Sequence, residues 1–146
     1  MKEFTGKQKL SFLFIAIGAA LAAAAFIAGI SDNLPGILLL YTGITAVVVG
    51  FVHPWRSVKK FLTLLGTSFA GFFVFMVLHN GMYAFGIKAA GIALLSRIFR
   101  IFGGIFFLIA VLLCPVGILV GSIGSIITFI LSRKRKLPDE ETPAPG

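Results

Sequence analysis

The run Leu10–Ile30, LSFLFIAIGAALAAAAFIAGI, holds 21 residues without a single charge. A helix rises about 1.5 Å per residue and the hydrocarbon layer of a bilayer is roughly 30 Å thick, so about 20 apolar residues make one crossing. Lys2, Lys7 and Lys9 precede the run, and Ala20-Leu21-Ala22 or Ala23-Ala24-Ala25 would pass for the cleavage site of a secretory signal. The apolar core of such a signal is usually only about 7–15 residues long, so an uncleaved span is expected instead.

Outward from that run the pattern repeats. Ser31-Asp32-Asn33-Leu34-Pro35-Gly36 breaks it, with Asp32 or Asn33 placed to cap the next helix and Pro35 in the first turn, where a missing N–H costs little. Pro35–Val52 is a second apolar run, ended by His53-Pro54 because the residue before proline is pushed out of helical geometry. Trp55-Arg56 makes a short turn, Ser57 is the expected cap of a third helix, and its apolar part runs from Phe61 to Phe85. The fourth run, Ile101–Leu131, has 31 residues, about 46 Å of helix. That exceeds the bilayer core, so tilt, a kink at Pro115 or a start outside the membrane is expected. A re-entrant hairpin folded at Cys114-Pro115 is the alternative, with arms short for full spans.

The expected fold is therefore all-α: a polytopic integral membrane protein with four transmembrane helices in a bundle. The spans fall at about 10–30, 35–52, 58–85 and 101–131 of a membrane domain covering residues 1–136. Composition agrees, with 58% hydrophobic and 12% charged residues, against about 45–50% and 25% in soluble domains. Residues 86–100 carry Lys88, Arg97 and Arg100 beside Leu94, Leu95, Ile98 and Phe99. That mixture reads as a short amphipathic, interfacial segment before the last helix, or as an early extension of it, with the arginines snorkelling to headgroups. The segment 137–146, rich in Pro and acidic residues, reads as a disordered cytoplasmic tail.

The net charge of +8 and a pI near 10.2 do not point to nucleic acid, because the basic residues cluster between apolar runs. Lys2, Lys7, Lys9, Arg56, Lys59, Lys60, Arg133, Lys134, Arg135 and Lys136 share one side of a four-span chain, and only Lys88, Arg97 and Arg100 lie on the other. Both termini are thus expected on the cytoplasmic side of a cell membrane. Anionic headgroups are the expected partners of the basic C-terminal run, at about 1 kcal/mol per charge near the surface.

In lipid, helices associate through close backbone approach and interhelical hydrogen bonds. Three spans offer small faces for this: Gly18, Ala22, Ala25 and Gly29; Gly43, Ala46 and Gly50; Gly117, Gly121 and Gly124, where Gly117–Gly121 matches the GxxxG spacing. These faces are expected to pack the bundle, or to receive a second copy or a partner membrane protein. The third span is instead crowded by Phe69, Phe72, Phe73 and Phe75, rings expected to face lipid or fill the bundle.

Chemistry has few places to sit. From Asn33 to Pro138 there is no Asp or Glu. Proton-coupled pumps usually need an intramembrane ionisable group, most often a carboxylate, and Mg²⁺-dependent enzymes need carboxylates for the metal. Two histidines and Cys114 fall short of a zinc site, and no cofactor is implied. His79, Asn80 and Tyr83 form one polar cluster, with His79 and Tyr83 on one helix face. It reads first as an interfacial anchor and second as a ligand or proton site. His53 beside Trp55 reads as the cytoplasmic aromatic belt. Arg97 and Arg100 are candidates for an anion or lipid headgroup, since a guanidinium fork donates two hydrogen bonds at once. Cys114 reads as an apolar filler.

The functional expectation is a small non-enzymatic multi-pass membrane protein, a structural, accessory or assembly subunit that packs through its small-residue helix faces. The alternative is an oligomeric channel or facilitator for an anion or small solute, lined by Arg97, Arg100 and the hydroxyls of Ser122, Ser125 and Thr128. A lipid-modifying enzyme using His79 would have to work without carboxylate or metal, and the 86–100 segment would suit a lipid sensor.

Overall fold

A computed structural model describes residues 6–30 and 33–134. Lys2, Ser31, Asp32, Arg135, Lys136 and the tail from 137 to 146 lie outside the described residues. The fold is all-helical, with four helices long and apolar enough to cross a membrane. Helix α1 spans Gly6–Ala28, α2 Leu34–Val52, α3 Val58–Lys88, α4 Ala93–Leu108 and α5 Cys114–Lys134, with a π-helical turn over Ile109–Leu113 between the last two.

The two breaks in the first half form where their residues dictate, with one change of role. Gly29 ends α1 in the left-handed region at φ 88°, which a residue without Cβ adopts freely. It was expected inside the first span, on the small face; it lies one residue beyond the helix instead. Asn33 occupies the N-cap position of α2, but its side chain makes no bond to that helix. Its Nδ2 donates to the Ala28 carbonyl at 2.8 Å, satisfying an orphan acceptor at the end of α1. Ser57 likewise sits at the N-cap of α3 without a side-chain bond.

The fourth helix differs more. Residues 93–134 form one continuous 42-residue run, about 63 Å long. There is no separate interfacial helix: Ala89–Ile92 make the turn, with Ile92 N–H bonded to the Ala89 carbonyl at 2.9 Å, and the final helix begins at Ala93. No proline stands between Ala93 and Pro115, the helix runs through Gly103-Gly104, and the amphipathic first turns fit the same rod, turning Ser96 and Gly103 inward and Arg97 and Arg100 outward. The chain runs through Pro115 without a hairpin. The widened π turn accommodates the ring, as such bulges commonly do where a helix bends.

Two antiparallel hairpins result. The backbone of α1 lies against α2 alone, and α3 lies against α4, the π turn and α5. The hairpins meet where α2 touches α5 and the π turn. A core of Val52, Phe61, Val116 and Val120 fills that junction, with Tyr41, Ile44, Val48, Val49, Trp55 and Leu64 packed around it.

Candidate functional site

Among the described residues many polar side chains bond to backbone carbonyls, and one such bond joins the hairpins. Pro115 has no N–H, so the carbonyl four residues earlier, Val111, loses its helical donor. The Tyr41 hydroxyl, carried across from α2, donates to that carbonyl at 2.7 Å. Tyr41 was not among the residues singled out from the sequence. The signal was present: a lone phenol inside an apolar run needs a partner for its hydroxyl.

The small-residue faces are seams inside the chain. A Cβ at Gly18 would lie 2.6 Å from the Gly43 carbonyl oxygen, and one at Gly43 would lie 2.8 Å from that of Gly18. Gly50 lies against Ser11, Phe14 and Ile15, Gly36 against the Gly29 carbonyl, and Ala25 is fully buried. Ala22 borders Gly43 through its backbone nitrogen. Val47, not Ala46, stands opposite Gly18; Ala46 lines a neighbouring groove with Tyr41, Val49 and Pro115. On the second hairpin a Cβ at Gly121 would meet the Leu65 backbone nitrogen at 2.8 Å, while Gly117 faces Ser68 and Gly124 faces the Phe61 ring.

At the α3–α4 end, His79 Nδ1 lies 2.8 Å from the Gly103 carbonyl oxygen. A carbonyl only accepts, so this nitrogen bears the proton there. The ring centroid is 5.1 Å from that of Phe107 and 6.5 Å from that of Tyr83. Asn80 turns away and donates to its own Met76 carbonyl at 2.9 Å. The trio expected as one cluster is thus a His79–Tyr83 ring pair with Asn80 outside it. Ser96 ties α4 to α3 by donating to the Gly86 carbonyl at 2.9 Å, and the Arg100 stem lies beside Gly86. Arg97 and Arg100 are both exposed, and only Arg100 borders a small cleft, of about 290 Å³, shared with Tyr83 and Ser96.

The four phenylalanines divide between surface and seam. Phe69 and Phe73 are more than half exposed and stack edge to face at 5.3 Å. Phe72 sits edge-on to Phe73 at 5.5 Å, and Phe75 pairs with Phe106 of α4 at 5.9 Å.

The other end of the bundle gathers charge. His53 Nδ1 lies 3.4 Å from the Ser11 hydroxyl and 3.2 Å from the Gly50 carbonyl, tying the α2–α3 turn to the start of α1. His53 Nε2 is buried without a hydrogen-bond partner. The Trp55 ring meets Phe61 edge-on at 5.5 Å. Between this turn and the last turns of α5 opens a cleft of about 410 Å³, bordered by His53, Trp55, Arg56, Thr128 and Ser132, with Phe61 in its wall. Lys7 and Lys9 on α1, Lys59 and Lys60 on α3, and Arg133 and Lys134 on α5 stand at the same end.

No protein-family model, curated protein or solved structure matches this chain. Its chemistry has to be read from the residues. Among the described residues there is no Asp or Glu, and no three His, Cys, Asp or Glu side chains group as metal ligands. Cys114 is buried, its sulfur 3.5 Å from where a Gly71 Cβ would stand.

Proposed function

We propose that this chain is a small integral membrane protein without catalytic chemistry of its own, a structural, accessory or assembly subunit crossing a cell membrane four times with both ends cytoplasmic. One observation carries the reading: six polar side chains within the apolar helices are engaged with helix backbone. Tyr41, Thr45, Thr67, His79, Ser96 and Ser125 each hold a backbone carbonyl, so they serve helix geometry and helix–helix attachment.

With the glycine seams taken up inside the chain, a partner helix in this reading meets faces of larger residues, such as those on α1 and α4. Ile17, Phe26 and Ile27 stand out from α1, and Leu94, Ile98, Ile101 and Ile105 from α4. Such faces associate by shape and dispersion rather than by close backbone approach.

The test is purification in mild detergent followed by mass measurement and reconstitution. The expected result is a defined complex, with itself or with another membrane protein, and liposomes whose anion permeability matches protein-free controls. A strictly monomeric species whose liposomes conduct anions, with flux falling on Arg100→Ala, would replace this reading with the facilitator.

A further inference from the structure

The cleft at the basic end brings cationic, aromatic, hydroxyl and apolar residues together. Its rim carries the guanidinium of Arg56, the indole of Trp55, the imidazole of His53 and the hydroxyls of Thr128 and Ser132. Its wall is apolar, built by Phe61, Ile127 and Leu131. Arg56 has no ion-pair partner among the described residues, which contain no carboxylate. The Ser132 hydroxyl donates to the Phe129 carbonyl at 2.8 Å and keeps its lone pairs. Lysines and arginines from three helices stand at the same end of the bundle without lining the cleft, and their charge adds to the attraction that Arg56 offers an anion.

We infer that this cleft is a binding site for one anionic phospholipid, its phosphate held by Arg56 with Trp55 and Thr128, and the start of an acyl chain laid along Phe61, Ile127 and Leu131. The chemistry is phosphate recognition, for which the planar guanidinium fork is suited. The amphiphilic lining favours a lipid over a free anion: a free phosphate has no use for the apolar wall, whereas an acyl chain tethered to the same phosphate packs along it by shape and dispersion. Trp55 at the rim suits a headgroup-level position, where an indole keeps its N–H wet and its ring apolar. The site rests on the membrane-spanning part of the proposed function and not on the subunit role, since none of its residues belongs to the glycine seam of α1 and α2.

The experiment is native mass spectrometry of the full chain released from nanodiscs containing equal phosphatidylglycerol and phosphatidylcholine. Wild type is expected to retain one phosphatidylglycerol. Arg56→Gln is expected to reduce that adduct about tenfold, while the double variant Lys59→Gln/Lys60→Gln, outside the cleft, keeps it. Ser132→Trp, which fills the cleft from an exposed turn, is expected to lose the adduct with the helical circular dichroism unchanged. Equal retention by wild type and Arg56→Gln overturns the site. Equal loss in the lysine variant overturns it too, by reducing the effect to general leaflet attraction. Displacement of the lipid by millimolar inorganic phosphate would assign the cleft to a free anion and reject the lipid.

Discussion

Tyr41 contributes through one hydrogen bond placed where the helix backbone is incomplete. Proline at 115 removes the donor to Val111, and the tyrosine from the other hairpin replaces it. Unpaired carbonyls cost more in a half-buried apolar junction than in water. Tyr41→Phe is therefore expected to destabilise the bundle by about 1–2 kcal/mol, read from unfolding in mixed micelles. Pro115→Ala restores the backbone donor, so the tyrosine substitution should cost less in that background. The double-mutant cycle is expected to give a coupling near 1 kcal/mol, and strict additivity would mean that the two residues act independently. The sequence makes Pro115 visible as a point of bending. It does not reveal which hydroxyl repairs the break, because that group comes from 70 positions away and no local pattern encodes the pairing. His79 is a parallel case: its spacing to Tyr83 is legible, but its partner is a carbonyl on α4 that only the packed hairpin brings within reach.

Among the helices, glycine has two different meanings that spacing alone does not separate. Gly121 is pressed against the Leu65 backbone, whereas Gly104 has nothing within 4 Å of the position a Cβ would take. Gly121→Ala is expected to destabilise by about 1–3 kcal/mol, because a backbone neighbour has to move. Gly104→Ala on α4 is expected to be neutral or to stabilise by up to about 1 kcal/mol, from helix propensity. The same micelle unfolding measurement compares them, and equal effects would contradict the seam. Small residues at spacings of three and four are visible in the sequence because helical periodicity is local. Which residue meets the partner is set by the crossing of two helices, and so Val47 rather than Ala46 lies opposite Gly18. Of the two readings of residues 86–100, the early extension of the last helix holds from Ala93 on, and the separate interfacial helix does not. Arg97 and Arg100 suggest an interface by their charge, yet long side chains leave the helix axis easily, so charge does not interrupt the rod that begins at Ala93.

For the whole molecule, the alternation of apolar runs and basic clusters carries most of the information. Four helices of crossing length follow from run lengths and breakers, because both act within a few residues. The assembly into two hairpins joined through α2 and α5 does not follow from them. It depends on which faces remain after each hairpin closes, a property of the packed whole. The structure does bring the basic segments near His53, Lys59 and Arg133 to one end of the bundle and Lys88, Arg97 and Arg100 to the other. With basic side chains collected more heavily at one end, the proposed orientation places that end in the cytoplasm.

The most direct measurement of the central claim, four crossings with both ends cytoplasmic, uses single cysteines in a Cys114→Ala background. Gly6→Cys, Arg56→Cys, Ala90→Cys and Lys134→Cys are each exposed to a membrane-impermeant thiol reagent, in intact cells and again after lysis. The expected result is labelling of Ala90→Cys alone in intact cells, with the other three reacting only after lysis. Labelling of Gly6→Cys and Lys134→Cys from opposite sides would contradict the four-span arrangement.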